Sequence, residues 1–212
     1  MIRLKTLALS LALATPLLGA LHIPAHAQRT TADAAPEIAT GYTAKAGKSS
    51  QKFMVAAANP LATQAGYQML KQGGAAIDAA IATQLVLTLV EPQSSGIGGG
   101  SFLLYSDGKH VQSYDGRETA PASADEHLFQ DKDGKAVSRE IGVIGGRSVG
   151  APGVLRMLEL AHKEHGKLPW KALFAPAIKL AEDGFNVSPR LNALLSWDKY
   201  LARDPVARAY FF

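Results

Sequence analysis

Ala75-Ala-Ile-Asp-Ala-Ala-Ile-Ala-Thr-Gln-Leu-Val-Leu-Thr-Leu-Val90, Glu91-Pro-Gln-Ser-Ser-Gly-Ile-Gly-Gly-Gly100 and Ser101-Phe-Leu-Leu-Tyr105 follow one another without a break. The first block is apolar nearly all round, save Asp78, Thr83 and Gln84, which predicts a core helix from about Ala75 to Val90. It is too short and too polar to span a bilayer. Glu91-Pro92 ends it, and the apolar run from Ser101 reads as a strand. A dinucleotide-binding loop needs its strand before the glycines and its helix after them; this order is reversed. A phosphate-cradling loop needs Gly-Lys-Ser/Thr, which is absent. Two readings of Gly96–Gly100 stay open: a tight helix-to-strand turn, or a loop whose missing side chains let backbone approach another segment or a ligand. In the second, Ser94 and Ser95 are polar contacts and Gly98 and Gly99 lie beside the site.

Outward from this block the elements alternate. Phe53–Ala58 is a short apolar run that predicts a buried strand, and Asn59-Pro60 then supplies an N-cap and a first-turn proline. Leu61, Ala65 and Met69 share one face of the next helix, which Gly73-Gly74 stops. Downstream, Asp107-Gly108 predicts a hairpin turn returning through His110–Tyr114. The loop Asp115-Gly-Arg-Glu-Thr-Ala-Pro121 leaves that strand. Pro152 opens a helix closed by Gly166. Pro169 opens another, with Trp170, Leu173, Phe174, Ala177, Ile178 and Ala181 on one face up to Gly184. Pro176 must kink this helix or start a fresh segment. Ser188-Pro189 caps a final helix toward Tyr200. The alternation lacks the clean period of a doubly wound sheet, so the fold class is mixed α/β (α+β).

The first residues bear on compartment. Arg3 and Lys5 precede an apolar run from Thr6 to Leu21 and the small-residue pattern Ala25-His-Ala27, which predicts a signal peptide over residues 1–27, cleaved after Ala27. The product is then periplasmic or secreted, without a stable membrane anchor. Residues 28–52 read as a flexible lead-in and 53–212 as the folded part. Without the leader, 20 Lys+Arg stand against 18 Asp+Glu, and no basic cluster supports nucleic-acid binding. The absence of cysteine excludes disulfides and thiolate catalysis.

Among side chains that could do chemistry, Arg117 stands out. It follows a strand end in a turn-rich loop, and its planar fork can hold a carboxylate bidentately. A surface ion pair with Glu118 or Asp115 is the alternative. His162 and His165 lie three apart near a helix end without the H-E-x-x-H pattern, so they read as a solvated face rather than a metal site. No G-x-S-x-G occurs, which speaks against a serine triad.

Taken together, Met54-Val-Ala-Ala, Ala62-Thr-Gln-Ala-Gly, Gly73-Gly-Ala-Ala-Ile-Asp-Ala-Ala80, Glu91–Gly100, Arg117-Glu-Thr-Ala-Pro121, Gly150-Ala-Pro-Gly153 and Leu180-Ala-Glu-Asp-Gly-Phe185 resemble the γ-glutamyltransferase (γ-glutamyltranspeptidase) family, in order from Phe53 to Val187. Many relatives place histidine where Gln93 stands, and some place glycine where Ser101 stands. The resemblance implies an N-terminal-nucleophile hydrolase fold, two β-sheets between helical layers, in a precursor that cuts itself into a large and a small subunit. It also implies that the small subunit's first threonine attacks the γ-glutamyl amide of substrates such as glutathione, using its own amino group as base. The acyl group then passes to water or to another acceptor. This chain corresponds to the front of the large subunit, so it is expected to lack that threonine and to be inactive alone. Neither cofactor nor metal is implied. Arg117 matches the arginine that grips the substrate's α-carboxylate and is expected to face a buried cavity, Glu118 to help orient it, and Asp78 to be structural. Two other readings stay open: a related acylase acting on glutaryl-type β-lactam side chains, and a noncatalytic exported binding module.

Overall fold

The computed structural model describes residues 46–212, so the leader and most of the lead-in lie outside the described residues. The chain first runs extended through Phe53–Ala58, where Phe53, Val55 and Ala57 turn inward and their neighbours outward. That alternation suits a strand, but no partner among the described residues completes a ladder, so the strand expected here does not form. Helix α1, Pro60–Lys71, begins where Asn59 Oδ1 accepts the Leu61 N–H at 3.0 Å, with Pro60 at its first position. Its buried stripe is Ala62, Ala65, Gly66 and Met69, whereas Leu61 is exposed. Leu61 lies in the first turn of this helix. Gly73, at φ 88°, makes the left-handed turn out of the helix.

Helix α2, Ala76–Val90, is the centre of the core. Ile81, Ala82 and Val86 are fully shielded within the core cluster. Each such aliphatic side chain contributes about 1.5–3 kcal/mol on burial. Strands β1, Ser101–Ser106, and β2, Val111–Gly116, form an antiparallel hairpin in which Leu103 faces Tyr114 and Phe102 faces Asp115. The turn is longer than the expected two residues: Asp107 Oδ1 accepts the N–H groups of Lys109 and His110, both at 2.7 Å, and Gly108 sits at φ 89°. One face of the hairpin packs on the core through Leu103, Tyr105 and Tyr114. On the other, Phe102, Leu104 and Val111 are exposed.

A short helix α3, Arg139–Val143, has no counterpart in the sequence reading; Ser138 caps it. Helix α4, Val154–His165, covers the hairpin with Val154, Met157, Leu158 and Ala161. A 3₁₀ turn at Trp170–Phe174 leads into α5, Ala175–Asp183, so Pro176 starts a fresh segment rather than kinking one long helix. Only Leu173 there is fully buried, and Ile178 is exposed. Helix α6, Pro189–Trp197, opens on the Ser188 cap, and a further helix α7, Pro205–Phe211, opens on Asp204.

Both histidines of α4 depart from the solvated face expected for them. His162 keeps 15% of its side chain exposed; its Nε2 lies 2.8 Å from the Leu168 carbonyl oxygen and 3.5 Å from Asp78 Oδ1. His165 stacks on Tyr105 at 3.9 Å, and its Nε2 lies 2.9 Å from the Tyr114 hydroxyl. The spacing placed them on a helix end but could not show which elements roof it. Tyr114 donates its hydroxyl proton to Glu164 Oε2 at 2.5 Å. Burial, then the hydrogen bond and charge of Glu164, push its ionisation up to about 12. A tyrosine in the unfolded chain ionises near ~10, so the folded form holds its proton longer. Stability is therefore complete below that pH and falls as pH rises toward 12. Urea midpoints measured across this window should fall in the wild type and fall less steeply in Tyr114→Phe.

Candidate functional site

The segment Gly116–Thr119 leaves the end of β2 and is clasped by glycines on both sides. Along one flank, a Cβ added at Gly100 would stand 2.7 Å from the Glu118 nitrogen and 2.8 Å from the Arg117 Cα. Along the other, a Cβ at Gly153 would stand 2.4 Å from the Gly116 oxygen and 2.5 Å from the Arg117 oxygen. One at Gly150 would fall 2.9 Å from the Thr119 oxygen. Real Cβ atoms do not tolerate such separations from backbone, so only glycine permits these approaches. Thr119 and Ala151 then exchange two backbone hydrogen bonds, at 2.8 and 3.2 Å. The two glycine motifs seen in the sequence thus meet across the Arg117 segment.

The glycine-rich loop contributes more than clearance. Its Gly99 carbonyl accepts the N–H groups of Gly153 and Val154, at 3.1 and 3.3 Å, which satisfies donors at the start of α4. Gly98 and Gly99 have open space where a Cβ would go, and neither has a positive φ, so nothing in the structure explains glycine at those two positions. Ser94 and Ser95 turn back on the end of α2, each donating its backbone N–H to the Glu91 oxygen at 3.0 Å. Neither serine lines the cleft beside Arg117.

That cleft, of about 440 Å³, runs between Asp115–Thr119 and α4 from Arg156 to Lys163, and Pro152, Gly153 and Met157 also line it. It is open rather than the buried cavity expected around Arg117: that side chain is 56% exposed. The difference stems from the uncovered outer face of the hairpin, because the guanidinium reaches over Phe102, 6.0 Å from the ring centre. Its charge partner is Glu118, with Nη2 to Oε1 at 3.4 Å, and its backbone N–H is fixed by Asp115 Oδ1 at 2.9 Å. Glu118 turns its other oxygen, Oε2, inward to a place where no donor meets it. On the α4 side of the cleft Glu159 stands between Lys163 and Arg156, which hold its carboxyl below the usual carboxylate range, Lys163 contributing most. Those two cations are thereby occupied, whereas Arg117 has, among the described residues, one long ion pair at 3.4 Å, to Glu118, that an incoming carboxylate can displace.

Two structural polar residues emerge that sequence reasoning had not placed fully. Asp78, wholly buried, accepts three backbone N–H groups on Oδ2: Ala75 at 2.7 Å, Lys167 at 3.0 Å and Leu168 at 3.1 Å. Its expected structural role is thus a clamp between the start of α2 and the end of α4. Glu91, 3% exposed, closes α2 within a cluster of side chains from distant segments. The only signal for either in the sequence was an acid among apolar neighbours.

The chain is similar in sequence and in fold to known proteins. The family model described as gamma-glutamyltranspeptidase matches residues 62–212. A glutathione hydrolase proenzyme of Bacillus subtilis (strain 168) is 45% identical over 153 residues, which cover 71% of this chain and 26% of the relative. The Acylase ACY 1 proenzyme of Pseudomonas sp. (strain SE83) is 38% identical over 183 residues, covering 80% of this chain and 32% of the relative. The crystal structure of Helicobacter pylori gamma-glutamyltranspeptidase superposes with a TM-score of 0.73 at 32% identity, covering 79% of this chain and 48% of that one. The chain spans about a quarter of the length of the first curated relatives it matches.

Proposed function

Because the chain belongs to the γ-glutamyltranspeptidase family, we propose that it supplies the carboxylate grip of an exported enzyme that hydrolyses or transfers γ-glutamyl groups from glutathione-like compounds. The fold is part of the N-terminal-nucleophile hydrolase sandwich, to which its structural neighbours belong. The observation that carries the functional reading is Arg117: a guanidinium whose backbone is fixed by the close approach of Gly100 and Gly153, yet paired at its fork, among the described residues, only with Glu118, itself 32% exposed. A γ-glutamyl group presents an α-carboxylate at one end and the scissile amide at the other. Binding the first by two parallel N–H···O bonds sets the position of the second. The nucleophile is the amino-terminal threonine of a small subunit, and its approach is over the uncovered face of the hairpin. Phe102, Leu104 and Val111 on that face offer apolar surface for a second sheet. Once covered, the same face shields Arg117 from water and strengthens its hold on an anion.

One rival has a specific observation in its favour, the 38% identical acylase relative. A glutaryl amide has the same carbon chain and carboxylate as a γ-glutamyl amide and lacks only the α-amino group, so Arg117 serves either substrate. The product of the complete reading frame, exported and purified, tests the choice against chromogenic γ-glutamyl and glutaryl anilides. The γ-glutamyl anilide should be turned over, and the glutaryl anilide at least about tenfold more slowly, because a buried group that reads the amine is left unpaired. Faster glutaryl cleavage would assign the acylase; binding without turnover of either would assign a noncatalytic module.

A further inference from the structure

Glu91 is a carboxylate almost completely removed from water, and the chain gathers donors round it from three separate segments. Its Oε2 accepts from Gln93 Nε2 at 2.6 Å and from Arg190 Nε at 3.1 Å; Asn59 Nδ2 donates to Oε1 at 3.5 Å. Asn59 is also the cap of α1 and Arg190 begins α6, so this one carboxylate ties α1, α2 and α6 together. Such a pair is weak support for stability by itself, because taking Glu91 almost wholly, and Arg190 to all but 29%, out of water costs about as much as their attraction returns. The loop that begins just after Glu91 gives the pair another use. The Glu91 carbonyl holds Ser94 and Ser95, the middle of the loop lies exposed at Gly96–Gly98, and the far end is fastened by Gly99 to α4 and by Gly100 against Arg117 and Glu118. The loop is thus a span fixed at its two ends, one at Glu91 and the other at the Arg117 backbone.

We propose that Glu91 and Arg190 are positioning residues for the reaction, acting through the Ser94–Gly100 loop to set where the Arg117 guanidinium stands. The inference rests on reading Arg117 as the carboxylate grip. Neither residue touches substrate. Loosening the pair lets the near end of the loop move, and Gly100 then no longer holds the Arg117–Glu118 backbone in one place. Substrate binding weakens while the chemistry at the amide, carried by other groups, continues.

The test uses the complete protein with Glu91→Gln, Arg190→Met and Arg190→Lys. The first two should raise KM for a γ-glutamyl anilide on the order of five- to tenfold with kcat within about twofold, and Arg190→Lys, which keeps a cationic donor, should recover part of the loss. In an Arg117→Lys background the effect of Glu91→Gln on KM should shrink, since the group being positioned is no longer the fork. Amide hydrogen exchange should quicken at Ser94, Ser95 and Thr119 and stay unchanged in α1. An unchanged KM together with unchanged exchange at Thr119 would overturn the proposal, as would equal losses in kcat and KM across all three variants. If the wild type shows no γ-glutamyl turnover, the functional reading fails by itself. Exchange at Thr119 then decides the coupling alone: quickened exchange upholds it and unchanged exchange ends it. Should Glu91→Gln fail to fold, the Arg190→Lys and Arg190→Met pair carries the same comparison.

Discussion

Arg117→Met in the complete protein is expected to lower kcat/KM for a γ-glutamyl anilide by about 10²–10³-fold. A bidentate charge-assisted pair lost from a shielded site removes about 3–4 kcal/mol, and each ~1.4 kcal/mol is a factor of ten. Arg117→Lys keeps the charge but not the fork, and should fall between the two. The ion partner of Arg117 among the described residues is Glu118, at a long 3.4 Å, so the unfolding free energy of either variant should stay within about 1 kcal/mol of the wild type. Steady-state kinetics with a parallel urea titration separates the two effects. A Met variant that loses activity only because it unfolds would remove the case for a direct role.

Asp78→Ala should be the most destabilising substitution among the buried polar residues. It strips the acceptor from three backbone N–H groups at once, two of them brought from about ninety positions away. Each buried donor left unsatisfied costs about 1–3 kcal/mol, and water entering the cavity returns part of it, so a loss of about 4 kcal/mol is expected. Asp78→Asn keeps one oxygen in place and should lose roughly half as much. The urea midpoint reads both directly. Equal stability of Asp78→Ala and the wild type would mean that the loop at Lys167–Leu168 is held by something other than this carboxylate.

Local signals in the sequence were legible, and long-range ones were not. Asn59-Pro60, Asp107-Gly108, Pro176 and Ser188-Pro189 act on the few residues next to them, and each opened, turned or broke an element where its chemistry said it would. The hydrophobic pattern placed α2 at the core for the same reason: a helix apolar on every side has nowhere else to go. His162 and His165 looked solvated because their neighbours in sequence are charged, yet Leu168, Tyr105 and Tyr114 roof them in space. Leu61 shares a helical face with Ala65 and Met69 but is exposed in the first turn. Phe53–Ala58 has a strand's alternation without a strand's partner among the described residues. For the site, Arg117 was found by its place after a strand and by family likeness. That Gly100 and Gly153 clasp its backbone, and Gly150 the two residues after it, is a matter of distances that spacing along the chain cannot give.

The most direct measurement compares two substrates in two proteins: a γ-glutamyl anilide and its counterpart with the α-carboxylate converted to a carboxamide, each with the wild type and with Arg117→Met. Arg117 as the anion grip requires that the wild type prefer the carboxylate by about 10² or more in kcat/KM and that the Met variant treat the two nearly alike. A Met variant that still discriminates as strongly as the wild type would show that another group reads the carboxylate, and the site assigned to residue 117 would be wrong.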